Sequence, residues 1–167
     1  MDDWDAAAGG SGEDEAAIGD FWDDARAASG LTEETEPPAW TFGDIPALAD
    51  ELLGLVLDGT KTATASLLWY YAEGGETMPA VGDLSIILDS SGRPRALIRT
   101  TEVEVTPFGQ VGEQHAFREG EGDRSLDSWR VEHTRFWQRT MPEGQTLTST
   151  TPIVCEGFEL LHPPVTR

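Results

Sequence analysis

Two apolar runs, Leu84–Leu88 and Ala96–Val105, flank Ser90-Ser91-Gly92, and this arrangement constrains the fold more than any other feature of the chain. The first run is short and the second ends in the alternating Thr101-Glu102-Val103-Glu104-Val105, so together they predict a β-hairpin. Upstream the period changes. Ile18, Phe21, Trp22 and Ala25 recur at helical spacing and predict a short amphipathic helix ending near Gly30, followed by a linker with Pro37 and Pro38. Asp44 then offers an N-cap and Pro46 suits a first turn, where its missing N–H costs little. Leu48, Leu52, Leu53 and Val56 form the apolar stripe of a second helix, which Gly59 ends as a C′ residue. Downstream, Ser125 caps a third helix carrying Leu126, Trp129, His133, Phe136 and Trp137 on one side, and Ile153–Leu161 reads as a strand. Helices interspersed with mainly antiparallel strands predict an α+β domain or a partly open barrel with helices packed on it.

A chain of 167 residues fits one domain with its own core. Residues 1–16 combine Gly, Ser and acids without periodicity and are expected to be a disordered acidic leader, with helix and linker over 17–36. The single cysteine, Cys155, lies among strand residues and is expected to be buried and reduced, which fits a cytoplasmic setting. No run approaches the roughly 20 apolar residues that span a bilayer, and no secretory leader is recognisable, so no membrane partner is expected. The formal charge is −20, of which the first 36 residues carry −11 and the remainder −9. Such a body repels a phosphate backbone, excluding a broad duplex-DNA face while leaving room for a nucleoside or a short single-stranded RNA.

Lys61 is the only lysine, against ten arginines. A guanidinium stays protonated, whereas a desolvated amine can lose its proton, so a site that needs a base or switchable donor has reason to keep lysine. The plainer role is to complement the C-terminal dipole of the helix that ends at Gly59.

The segment Leu57-Asp58-Gly59-Thr60-Lys61-Thr62-Ala63-Thr64-Ala65-Ser66-Leu67 resembles the signature of the ASCH superfamily, where a helix ending at Gly precedes Lys-x-x-Thr and a Ser or Arg. Ala39–Asp44, Pro79–Asp83, Arg99–Val103, Glu119–Leu126 and Val154–Phe158 are similar to successive blocks of one bacterial ASCH subfamily. The resemblance implies an ASCH domain over 37–163 with a PUA-like mixed β-barrel, flanking helices and an association with RNA. In one branch it implies an amidohydrolase that deacylates N4-acetylcytidine and related N4-acylcytidines, using a lysine, a threonine three residues later and a glutamate. Lys61 and Thr64 match the first two, and Glu119, four residues after His115, matches the third, with Glu121 two residues on. Another branch is a ribonuclease. The basic residue often found after the threonine is Ser66 here.

Amide hydrolysis needs a nucleophile, a base and a donor to the leaving amine. A partly buried Lys61 would take the Thr64 hydroxyl proton and Glu119 would serve the leaving nitrogen; no cofactor is called for. Residues three apart in a strand face opposite ways, so this scheme predicts a bend between Lys61 and Thr64. Thr64 alone reads equally as an ordinary strand residue, and Glu119 as part of a solvated acidic run. Ser66, Trp69, Tyr70, Arg99, Glu121 and Arg124 are candidate substrate contacts, the aromatics by stacking on a base and the arginines at ribose or phosphate. Core packing is the competing role for Trp69, Tyr70 and Tyr71, and surface ion pairing for the arginines. His115 and Glu119 lack a third ligand at metal-site spacing, which leaves His115 structural. Three functions remain open: a modified-nucleoside amidohydrolase, a ribonuclease or single-stranded RNA binder in which Lys61 meets phosphate, and an interaction protein using its acidic leader. A monomer or a homodimer is compatible with each.

Overall fold

The computed structural model describes residues 12–166. Helices α1 (Gly12–Ala28), α2 (Pro46–Leu57), α3 (Trp69–Ala72), α4 (Glu113–Glu119) and α5 (Leu126–Thr140) alternate with strands β1 (Ala39–Trp40), β2 (Ala63–Leu67), β3 (Leu84–Leu88), β4 (Pro94–Pro107) and β5 (Pro152–His162). The expected α+β class is what forms. Strand order in the sheet is β1-β3-β4-β5-β2, an open order with β1 and β2 at its ends.

The structure divides into two compact units. The first holds the described residues up to Gly59, Asp83–Arg99 and those from Glu159 onward; the second holds Thr60–Gly82 and Thr100–Phe158. Strands β4 and β5, at 14 and 11 residues, are longer than the usual five or six and contribute to both units.

In the first unit, α1 buries Trp22 and Ala25 against Ile86, Leu88 and Leu97. The helix begins before the expected Ile18. Residues 12–16, read as the end of a disordered leader, form its first turns, because Asp14 and Glu15 complement the N-terminal dipole and Ala16 and Ala17 favour helix. The remaining leader, residues 1–11, lies outside the described residues. Helix α2 starts at Pro46 with Ile45 as its extended N-cap (φ −133°, ψ 150°), so Asp44 does not occupy the cap. The residue before proline is held away from helical backbone, which moves the boundary on by one. Gly59 (φ +82°) ends the helix as expected. The β3–β4 hairpin pairs Leu84 with Arg99 and Ile86 with Leu97, and the Asp89 carboxylate closes its turn by accepting from the Ser91 and Arg93 N–H groups.

In the second unit, β2 runs antiparallel to β5, with Ala63 opposite Gly157 and Leu67 opposite Ile153. Leu67, Ile153 and Cys155 pack with Ala116 of α4 and with Trp129 and Trp137 of α5. Ser125 caps α5 by accepting from the Ser128 N–H at 3.1 Å, as its sequence position predicts. Cys155 is buried, and burial first, then the nearby carboxylates, push its thiol up to about 12, which makes it packing material and not a nucleophile.

Candidate active site

Lys61 reaches its place because the chain just before β2 is fixed on both sides. The Thr62 N–H donates to the Arg118 carbonyl at 2.7 Å, and the Thr62 carbonyl accepts from the Phe158 N–H at 2.9 Å, continuing the β2–β5 ladder. The intervening side chain turns inward and is only 2% exposed. Its amine lies 2.9 Å from Glu121 Oε1 and 3.6 Å from Glu119 Oε2, and it donates to the Glu119 carbonyl at 3.4 Å.

Glu119 is the last residue of α4 and is 1% exposed. Gly120 ends that short helix in the left-handed region (φ +75°) and packs directly on the Thr60 backbone, which brings Glu119 to the lysine segment. The Glu119 Oε1 atom lies 2.7 Å from His115 Nε2 and accepts from Trp129 Nε1 at 2.8 Å. Its Oε2 faces His133 Nε2 at 3.3 Å as well as Lys61. A buried carboxylate is tolerated only with such a complete set of partners. Burial opposes its ionisation, but the charges of His133 and Lys61 and the hydrogen bonds from both histidines outweigh this and hold Glu119 well below the usual carboxylate range.

Geometry also fixes the charge of His133. Its Nδ1 is 2.9 Å from the Trp129 carbonyl, which only accepts, so Nδ1 carries a proton. A neutral ring would then aim its Nε2 lone pair at the Glu119 carboxylate; the imidazolium instead donates from Nδ1 to the Trp129 carbonyl and from Nε2 to Glu119 Oε2. The ring stacks on the Trp129 indole at 4.2 Å and 22°, a favourable place for a cation. Burial disfavours the charged ring, and the Glu119 charge and hydrogen bond overcome that and raise its pKa. Lys61 and His133 therefore balance Glu119 and Glu121 charge for charge, within the second unit. His115, Glu119 and His133 meet, but through protons directed at a carboxylate. Among the described residues no group of three or more such side chains is arranged to hold a metal.

The model of the ASCH domain matches residues 38–162, most of the chain. The chain belongs to the ASCH family. The ASCH domain is similar to that of Lactobacillus crispatus JV V101, at 29% identity over 92% of this chain and 98% of that one, with a TM-score of 0.77. It is similar also to a crystal structure of a protein from Enterococcus faecalis V583, at 35% identity over 87% of this chain and 88% of that one, with a TM-score of 0.78. No curated protein matches it.

Of the residues read in the sequence as catalytic or substrate-contacting, the ASCH fold brings Lys61, Glu119 and Glu121 together and places the others outside that cluster. The bend expected between Lys61 and Thr64 is absent: β2 pairs in register from Ala63 onward. Ala65 and Leu67 face the α4–α5 core, so Thr64 and Ser66 leave the strand on the other face, where Ser66 Oγ meets Tyr71 Oη at 2.8 Å. Trp69 and Tyr70 are half-buried on the Leu67–Trp137 core, in the short α3. Arg99, in the first unit, pairs with Glu159. Arg124, a non-glycine residue at φ 64°, lies over the Phe117 ring and donates to the Phe117 and Thr60 carbonyls, which clamps the end of α4. His115, read as structural, and Trp129, read as core, are both partners of Glu119, and His133 was visible only as part of a helical stripe. The missed signal is that Trp129 and His133, four apart on α5, carry polar tips on an otherwise apolar face.

Proposed function

We propose that this ASCH domain is an amidohydrolase acting on small acylated nucleosides of the N4-acylcytidine type, with the Lys61–Glu119 centre organising its site. The observation that carries this reading is that Lys61 is turned inward and neutralised by two carboxylates. A lysine so committed does not meet phosphate, as the ribonuclease and RNA-binding functions require, whereas a small neutral substrate is indifferent to a chain of charge −20. Lys61 acts in this scheme as the ammonium partner of Glu119 and Glu121 instead of the general base. Thr64, on the other face of β2, takes no part in the chemistry. A PUA-like barrel over 37–163 and a cytoplasmic setting complete the reading.

The test is incubation of the purified chain with N4-acetylcytidine. The expected products are free cytidine and acetate, at a rate that depends little on salt. An intact acyl group, with salt-sensitive binding or cleavage of single-stranded RNA, would replace this reading by the nuclease or RNA-binding one.

A further inference from the structure

His115 is one of the members of the Glu119 network that reach the surface of the second unit. His115 lines a cleft of about 210 Å³ together with Glu102, Glu104, Gln110, Gln114 and Arg118. Its Nε2 is engaged by the Glu119 carboxylate, and since a carboxylate only accepts, that nitrogen carries the proton. Nδ1 is then the basic nitrogen, and it has no hydrogen-bond partner among the described residues. An imidazole whose far nitrogen is held by a buried carboxylate is the arrangement that orients a histidine for proton transfer.

The walls select the ligand. Glu102 and Glu104 lie on the same side of β4, and the Arg118 guanidinium is spoken for by Glu102 at 2.7 Å. The Arg118 guanidinium also lies directly against Gly157, in the space a Cβ there would take. Carboxylates at the rim repel phosphate, while the two glutamine amides offer donors and acceptors to a neutral polar ring. The volume is small for a ligand pocket and suits one ring with its substituents better than a chain.

Resting on the amidohydrolase reading, we infer that this cleft binds the uncharged acylated pyrimidine nucleoside and that His115 is the catalytic residue that moves its protons, with Glu119 as the positioning residue. Nδ1 accepts a proton from water as the water oxygen bonds to the acyl carbon. The carbon–nitrogen bond then breaks and that proton passes from Nδ1 to the exocyclic nitrogen. One water is consumed, and the products are the carboxylic acid and the free amine.

Two measurements test this separately from the parent reading. His115→Gln keeps an N–H that can reach Glu119 but removes the basic nitrogen. It should lower kcat for N4-acetylcytidine at least ~100-fold, with KM changed by less than about threefold. Wild-type turnover with full kcat in the variant overturns the role of His115 and leaves the amidohydrolase reading standing. Cytidine, added to the isotope-labelled wild-type chain, should shift the resonances of Gln110, Gln114 and His115, and 5′-CMP should shift them less. Shifts at Thr64, Ser66 and Tyr71 instead, no shifts at all, or a preference for the phosphate would overturn the cleft assignment whether or not the acyl group is cleaved.

Discussion

Replacing Glu119 by alanine is expected to lower the stability of the chain by about 3–5 kcal/mol, the cost of removing one partner from a buried ion pair. At a few degrees per kcal/mol for a protein of this size, the midpoint of thermal unfolding should fall by roughly 10 °C. The size of the effect follows from how much one carboxylate does. Trp129 Nε1 and His115 Nε2 lose their acceptor, the His133 imidazolium loses its counter-charge, and Lys61 loses the more deeply buried of its two carboxylates. Glu119→Gln, which keeps the shape and one acceptor oxygen, should cost less. The acid limb distinguishes them further. A carboxylate whose folded pKa is depressed adds stability above its ordinary range near 4.5, and that stability is lost as pH falls through the folded value. The wild-type chain should therefore lose stability toward low pH more steeply than Glu119→Gln. Urea unfolding followed by far-ultraviolet dichroism and tryptophan fluorescence measures both effects. A loss under 1 kcal/mol for the alanine variant would show that the carboxylate is not the hub described above.

Gly120→Ala should be nearly as damaging, by about 2–5 kcal/mol, although it deletes nothing. Gly120 sits at φ +75°, where an L side chain costs about 1–2 kcal/mol. An added Cβ would also lie 2.8 Å from the Thr60 carbonyl oxygen and 2.9 Å from its carbon, and overpacking of this kind typically costs a further 1–3 kcal/mol. The atoms in the way are backbone next to Lys61, so relief of the clash would move the lysine from its carboxylates. Gly144→Ala is the matched control: its φ is +86°, but nothing lies within 4 Å of its Cβ position. Calorimetry of the two variants should show a clearly larger drop in Tm for position 120. Equal drops would mean that backbone conformation alone, and not the close approach to Thr60, makes position 120 a glycine.

Much of the fold was legible because it rests on local chemistry. The Leu84–Leu88 strand, the turn at Gly92, the Ser125 cap and the Gly59 terminus each follow from a few adjacent residues. The boundary at Pro46 and the early start of α1 were missed where neighbouring preferences competed. At the site, Lys61 stood out by its rarity and Glu119 and Glu121 by the ASCH resemblance, and all three converge. The partners that make burial of Glu119 tolerable were hidden, because His133 and Trp129 serve the apolar face of α5 with their bodies and the carboxylate with their tips. Thr64 misled for the opposite reason. A motif fixes spacing along the chain, whereas the alternation of β2 decides which face a side chain takes, and in-register pairing with β5 sends Thr64 away from Lys61.

The site is held together by a charged cluster around Glu119, and the His133 ring reports on it most directly. Nitrogen-15 NMR of the histidine rings at pH 7 should find both nitrogens of His133 protonated, with the cation persisting above the ordinary imidazole range near 6.5. Because its folded pKa is raised, His133 adds stability that is fully present below that range and is lost as pH rises through the folded value. A neutral His133 ring at pH 7, titrating like a free imidazole, would contradict the ion-paired centre and the proposed site with it.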